Sequence, residues 1–205
     1  MKREIPGLIS DENGHAFCRW RAAMPEYHDR EWGYPVASDQ ALFEKICLEG
    51  FQSGLAWITI LRKRENFREA FHHFDFERIA RYTQRDIERL MGNAGIIRNR
   101  SKILAAINNA KRACDLVDEN GSLASWLWRF EPEPESRPKK IDLDYLNASS
   151  PPDAAVRLSR ELKRRGWSFV GPTTLYAFMQ AVGFVNDHIT GCACRARVEA
   201  VMCAR

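Results

Sequence analysis

Two segments far apart in the chain carry side chains that together fit one metal ion. Cys18 and His28 stand near the start, the histidine within Tyr27-His28-Asp29-Arg30-Glu31-Trp32-Gly33. His188 and Cys192 stand near the end, within Asn186-Asp187-His188-Ile189-Thr190-Gly191-Cys192. Two thiolates and two imidazoles complete the tetrahedral set of a structural zinc. The spacing of His188 and Cys192 predicts one helical turn with both side chains on the same side. Such a site would join the N- and C-terminal segments. No local spacing brings Cys18 to His28, so these residues also read as buried thiols and satisfied histidines, since cysteine is often buried as a small apolar residue.

A second constellation is Glu49-Gly50-Phe51-Gln52-Ser53-Gly54-Leu55-Ala56-Trp57. An acid at a helix end is followed by a glycine-containing loop and a large aromatic. With Trp20, Tyr27 and Trp32, these residues could line a pocket that stacks a flat ring and hydrogen-bonds its edge, as flipped bases are read. Taken singly, such a tryptophan is equally a core residue and such a glutamate an exposed helix end. A third is Leu90-Met91-Gly92-Asn93-Ala94-Gly95-Ile96-Ile97-Arg98, between two helical patterns. Gly95 suits a tight turn, and Arg98, Arg100 and Lys102 open the next helix. Helix N-terminal amides beside basic side chains hold phosphate. The segment resembles a helix-hairpin-helix DNA-binding element, with Ile97 where a second glycine is common. A helical hairpin without a ligand fits the same residues.

The elements that must position these groups read as helices throughout. Ser38 caps a helix over 39–50 with Leu42, Phe43, Ile46, Cys47 and Leu48 on its apolar stripe. Further helices are predicted over 55–62, 64–73, 76–82 after Asp75, 84–92 after Thr83, 99–118, 122–130, 152–165 and 172–184. The stretch from Glu131 to about Lys140 reads as a surface loop. No paired strand signals occur, so the expected fold is all-α. Residues 1–16 are expected to be a flexible tail, 17–195 a single helical domain with its hairpin at 90–102, and 196–205 a C-terminal tail.

Composition is that of a globular protein: 205 residues, 45% hydrophobic and 28% charged. Six cysteines without an apolar leader point to a reducing compartment and against a disulfide framework. No run of about eighteen apolar residues suggests a membrane span, and a cytoplasmic monomer is expected. The net charge of +4 is mild, but Arg62-Lys63-Arg64, Arg98/Arg100/Lys102 and Lys163-Arg164-Arg165 form compact basic groups. Such groups suit phosphate contacts and equally suit solvated helix surface.

Five segments, YHDREWG, LFEKICLEGFQSGLAWITIL, RENFREAFHHFD, AGIIRNRSKI and GWSFVGPTTLYAFMQAVGFVNDHITGC, resemble the 3-methyladenine DNA glycosylase I family in collinear order from about Cys18 to Cys194. The resemblance implies a helix-hairpin-helix glycosylase fold, a structural zinc and cleavage of the N-glycosidic bond of 3-methyladenine in double-stranded DNA. Carried over residue by residue, it implies zinc ligands at Cys18, His28, His188 and Cys192. It implies base-binding and catalytic roles at Glu49 and Tyr27, and base-binding roles at Trp57 and Trp20. The loop at the lesion falls on Ser53, Gly54 and Leu55, and the hairpin on residues 94–102, giving DNA contacts at Gly95, Arg98, Arg100 and Lys102. Where the family often ends in three consecutive cysteines, this chain has Cys192-Ala193-Cys194, so Cys194 is a rival ligand. Asn99 and Ser101 also depart from a common histidine and glycine.

The implied chemistry is monofunctional. Methylation at the ring nitrogen makes the adenine cationic, so it departs neutral and needs little acid catalysis. A lyase step is not expected, because no lysine stands in a pocket segment. Two rival readings keep part of the pattern: a zinc-stapled DNA-binding module without catalysis, and a glycosylase of other specificity using Asp115 or Asp118 as its acid.

Overall fold

The computed structural model describes residues 5–147 and 150–204. In chain order its elements are β1 (Leu8–Ser10), β2 (Ala16–Cys18), α1 (Pro25–Arg30), α2 (Asp39–Gln52), α3 (Trp57–Arg62), α4 (Arg64–Ala70), α5 (Phe76–Ile79), α6 (Gln84–Gly92), α7 (Arg100–Asn120), α8 (Leu123–Leu127), α9 (Leu143–Asn147), α10 (Asp153–Arg164), α11 (Pro172–Ala181) and α12 (Ala193–Cys203). Short 3-10 turns stand at Arg19–Ala23, His72–Phe74, Trp128–Phe130 and Pro134–Ser136. The fold is mainly helical, and the chain divides into two compact units.

The first unit gathers the described residues of Met1–Val36, Glu131–Pro151 and Met179–Arg205. It corrects the expectation of a purely helical chain with loose ends. Strands β1 and β2 form an antiparallel hairpin with Leu8 opposite Cys18 and Ile9 opposite Phe17. Two three-residue strands have too little period-2 pattern to be legible in sequence. Residues 1–4 and 205 of the two expected tails lie outside the described residues. At the other end, α12 occupies most of the expected C-terminal tail. It is anchored because Val198 and Cys194 are fully buried. Gly183, at φ +77°, lets the chain pass so close to Gly33–Pro35 that a Cβ would lie 2.5 Å from the Pro35 nitrogen. The Val36 amide donates to the Val182 carbonyl beside it.

The second unit comprises Ala37–Phe130 and Pro152–Phe178. Its long helix α7 packs against α2, α5, α6 and α8. Ser38 caps α2 by accepting the Ala41 amide, and Asp75 caps α5 by accepting the Arg78 amide. In the first turn of α2, Asp39 also accepts the Leu123 and Ala124 amides at the start of α8. Phe51, Phe67, Phe71 and Phe74 are fully buried and pack ring against ring. Each such side chain contributes on the order of 1.5–3 kcal/mol relative to exposure. Helix α4 ends at Ala70, short of the expected residue 73. His72, His73 and Phe74 take left-handed φ of 50°, 55° and 61°, and the burial of Phe74 offsets that strain. Gly50, expected as the stop of α2, lies inside it.

Candidate functional site

The four predicted metal ligands meet in the first unit. Cys18 ends β2, His28 lies on α1, and Cys192 precedes α12. All four side chains are buried, and one ligand atom from each lies within 4.8 Å of the others. Cys18 Sγ is 3.9 Å and Cys192 Sγ 3.7 Å from His188 Nδ1, and Cys192 Sγ is 3.7 Å from His28 Nε2. Zinc bonds of about 2.3 Å to sulfur and 2.0–2.1 Å to nitrogen, set tetrahedrally, require sulfur–nitrogen edges of roughly 3.6 Å, so the donor set fits. Residues 188–192 are a tight turn and not the helical turn predicted. The Cys192 amide donates to the Ile189 carbonyl, and Gly191 takes φ +101°. That turn is held by Thr190, whose hydroxyl accepts the Ile141 amide, and by Arg195 of α12, which donates to the carbonyls of Asn186 and His188.

The surroundings orient the imidazoles. His28 Nδ1 lies 2.7 Å from Asp29 Oδ1, and Arg21 clamps the same carboxylate. His188 Nε2 lies 3.2 Å from the Trp32 carbonyl. Each ring therefore has a partner on the nitrogen facing away from the cluster, the arrangement that fixes a ligating tautomer. The Ile189 amide donates to Cys18 Sγ. Contact with Cys192 draws the Cys18 thiol down. Cys18 works against ionisation of Cys192, but Cys194, His188 and His28 outweigh it and hold Cys192 at about 6. Cys194 faces the other side of the ring, 3.7 Å from His28 Nδ1, where Asp29 also lies. Of the two cysteines, only Cys192 therefore falls in the cluster with Cys18 and His188, while Cys194 groups with Asp29 on the far side of the His28 ring. Asp29, Arg21, the Trp32 carbonyl and Arg195 were missed in sequence, although Asp29 adjoins a predicted ligand.

Of the aromatic residues predicted to bind a base, Trp20 and Tyr27 lie 6.4 Å apart in this unit. Trp20 also packs edge-on against His28 and Trp32 at 4.6 and 5.1 Å. Tyr27 is buried and Trp20 half-buried.

The second unit carries Glu49, Trp57, the loop and the hairpin. Glu49 stands in the last turn of α2 at 4% exposure, and its Oε2 has no hydrogen-bond partner among the described residues. Burial pushes its carboxyl up to about 8, with Lys45, one turn earlier on the helix, opposing. An orphaned buried polar atom is costly and asks for a hydrogen-bonding partner from outside the described residues. Three to six residues on, Gln52–Leu55 turns outward: Gly54 takes φ +80° with open space around it, and Leu55 is 40% exposed.

Lys102 stands in the first turn of α7, as the sequence predicts, but its side chain turns inward. Its side chain is buried, and Nζ donates to the carbonyls of Phe51 at 2.8 Å and Ser53 at 2.6 Å. It closes the C-terminal end of α2 and is not free for phosphate, because the carbonyls left over there attract a cation. Arg98 and Arg100 are exposed and carry no ion pair among the described residues. Gly95 is required by close approach rather than by φ. Its amide donates to Asn93 Oδ1, and a Cβ there would lie 3.2 Å from Asn66. Lys63 donates to the Ala94 and Gly95 carbonyls, so it too serves the turn. Arg164 and Arg165 pair with Glu161, and Arg165 also with Glu119. Asp115 and Asp118 are exposed, Asp115 pairing with Arg112; neither is a buried acid.

A mainly helical chain with a buried Cys2His2 cluster and an orphaned buried glutamate beside an exposed loop has close counterparts. A family model described as methyladenine glycosylase matches residues 17–196. The chain belongs to that family. It is 43% identical over 182 residues to the DNA-3-methyladenine glycosylase of Haemophilus influenzae, covering 87% of this chain and 97% of that one. It is 44% identical over 180 residues to DNA-3-methyladenine glycosylase 1 of Escherichia coli, covering 86% and 95%. Among solved structures, a 3-methyladenine DNA glycosylase I superposes with TM-score 0.77 at 44% identity, over 94% of this chain and all of that one. The Staphylococcus aureus enzyme, solved for its recognition of 3-methyladenine, gives TM-score 0.78 at 33% identity over 84% and 91%. No helix among the described residues is long and apolar enough to cross a membrane.

Proposed function

We propose that the protein is a monofunctional DNA repair glycosylase that hydrolyses the N-glycosidic bond of 3-methyladenine in double-stranded DNA, releasing the base and leaving an abasic site. The observation that carries this reading is Glu49: a buried carboxylate with an unpartnered oxygen, just before a loop whose tip is the exposed Leu55, in a chain of the methyladenine glycosylase family.

The Glu49 carboxyl, held largely neutral by burial in the empty site, would give its proton to solvent as a cationic base binds and then accept from the amine edge, so that its negative charge would favour a cationic ring over neutral adenine. Tyr27, Trp20 and Trp57 would offer aromatic faces, to which a cationic ring is attracted. Leu55 would enter the gap that the extruded nucleotide leaves, as apolar wedges do in proteins that unstack DNA. The turn between α6 and α7 would act as a helix-hairpin-helix grip, with Arg98 and Arg100 on phosphates. As the glycosidic bond breaks, its electron pair passes to the cationic ring and neutralises it. The base therefore leaves without being protonated. A water oxygen bonds to the sugar carbon and its proton goes to solvent.

Cys18, His28, His188 and Cys192 would hold a zinc ion, whose contribution is structural, tying β2 and α1 to the turn before α12. Incubating the protein with methylated DNA and identifying the released bases by chromatography tests the proposal. Release of 3-methyladenine is expected, and absence of any released base would overturn it.

A further inference from the structure

Phe169 has no role in the chemistry above, yet the fold holds it in place with unusual care. It lies in the turn between α10 and α11, is 38% exposed, and takes φ +57°. A phenylalanine in the left-handed region is strained, and strain of this kind persists where surrounding structure over-determines it. The neighbours supply that determination. Asn109 of α7, itself buried, donates to the Ser168 carbonyl and accepts the Ser168 amide, both at 2.9 Å. Asn108 donates to the Gly166 carbonyl at 2.8 Å, and Ser159 of α10 to the Val170 carbonyl at 2.7 Å. Trp167 and Val170 are buried on either side. The loop is thus pinned through its backbone and its flanks, while the ring at its tip remains open to solvent.

The tip also stands in a particular place. A Cβ on Gly50 would lie 3.3 Å from the Phe169 Cβ, so the turn rests on α2 at the residue after Glu49. On α7, Asn109 follows Lys102 by seven residues, which is two helical turns on one face. One face of one helix therefore anchors two loops beside the end of α2, each with an exposed apolar tip: Leu55 at 40% and Phe169 at 38%.

We infer that Phe169 is a second apolar contact to unstacked DNA, laying its ring on a nucleobase face that extrusion of the damaged nucleotide opens. Any base offers such a face, so the contact is independent of sequence. The inference rests on the proposed excision activity and on Leu55 as the wedge.

The test uses the full-length protein and three variants. Phe169→Ala is expected to lower kcat/KM for base release from duplex DNA roughly tenfold, while binding free 3-methyladenine as wild type does. Phe169→Leu should lose most of the same activity, because the ring rather than apolar bulk is required. Phe169→Gly suits a left-handed φ and should melt no lower than wild type, yet release base as slowly as Phe169→Ala. In duplexes carrying a stable abasic analogue with 2-aminopurine opposite or beside it, wild-type protein should alter the fluorescence at one of these positions, and Phe169→Ala should not. Wild-type release and wild-type fluorescence response by Phe169→Ala would overturn the inference. So would weakened free-base binding by that variant, or recovery of release in Phe169→Gly, which would mark a structural role. Failure of the wild-type protein to release any base would instead overturn the excision reading beneath it.

Discussion

The ammonium of Lys102 donates to the Ser53 carbonyl at 2.6 Å, joining the first turns of α7 to the loop that presents Leu55. Burial lowers the pKa of this lysine, and a second bond to the Phe51 carbonyl commits two of its three donors to the fold. The start of α7 and the loop after α2 are in this way one assembly.

Replacing Lys102 by Met should therefore act through the loop. Two carbonyls lose a charged donor, which costs roughly 1.5–3 kcal/mol of stability, read in a urea melt. Base release should fall, while the salt dependence of binding to undamaged duplex should stay as in wild type. A flattened salt slope would return Lys102 to the phosphates.

Arg98 and Arg100 behave oppositely. Each exposed guanidinium that contacts a phosphate adds about 0.9 to the slope of log K against log salt. Arg100→Ala should lower that slope by roughly one, weaken unrelated duplexes alike, and leave thermal stability near wild type. Equal slopes for the two proteins would remove the hairpin from the interface.

Glu49 carries a pH signature in stability. Its folded pKa of about 8 lies above the ordinary value of 4.5, so the folded state binds the proton more tightly than the unfolded chain. The stability contributed by the neutral carboxyl is complete below about 4.5 and is lost as pH rises through about 8. Glu49→Gln stays neutral, so it should exceed wild type by roughly 2–4 kcal/mol at pH 8 and match it near pH 4. A pH-independent difference in denaturation midpoints would show that Glu49 is not buried as described.

The same substitution should weaken free 3-methyladenine, because an amide presents donors where the carboxylate only accepts. A loss of about 1.5–3 kcal/mol in titration calorimetry is expected. Leu55→Ala should bind the free base normally and release it slowly from DNA. Unimpaired release by that variant would remove the wedge.

For the metal cluster, purified protein should contain one equivalent of zinc, measured by elemental analysis. Cys192→Ser should lose it together with thermal stability, since ligand binding and folding are coupled. Asp29→Ala, which frees the far nitrogen of His28, should weaken zinc by about 10- to 100-fold. Cys194→Ser should keep the metal, because Cys194 faces the opposite ring nitrogen.

Much was legible in the sequence because the signals were local. Ser38, Asp75 and Thr83 cap the helices that their neighbours predict, since a capping side chain needs a partner only three residues away. Glu49, Leu55 and the cluster of Cys18, His28, His188 and Cys192 stood out by residue type and by resemblance. What the tertiary structure alone decided depends on contacts across long separations. A lysine drawn as a phosphate ligand became the clasp of α2, because carbonyls fifty residues earlier in the chain lay within its reach. Cys192 and Cys194, alike in sequence, were separated by which nitrogen of His28 each one faces. The tails became a strand and a helix once burial of Phe17, Cys194 and Val198 supplied the stabilisation that their short patterns lack. The strained turn at Phe169 shows no mark in composition, since its conformation is imposed by Asn109 some sixty residues away.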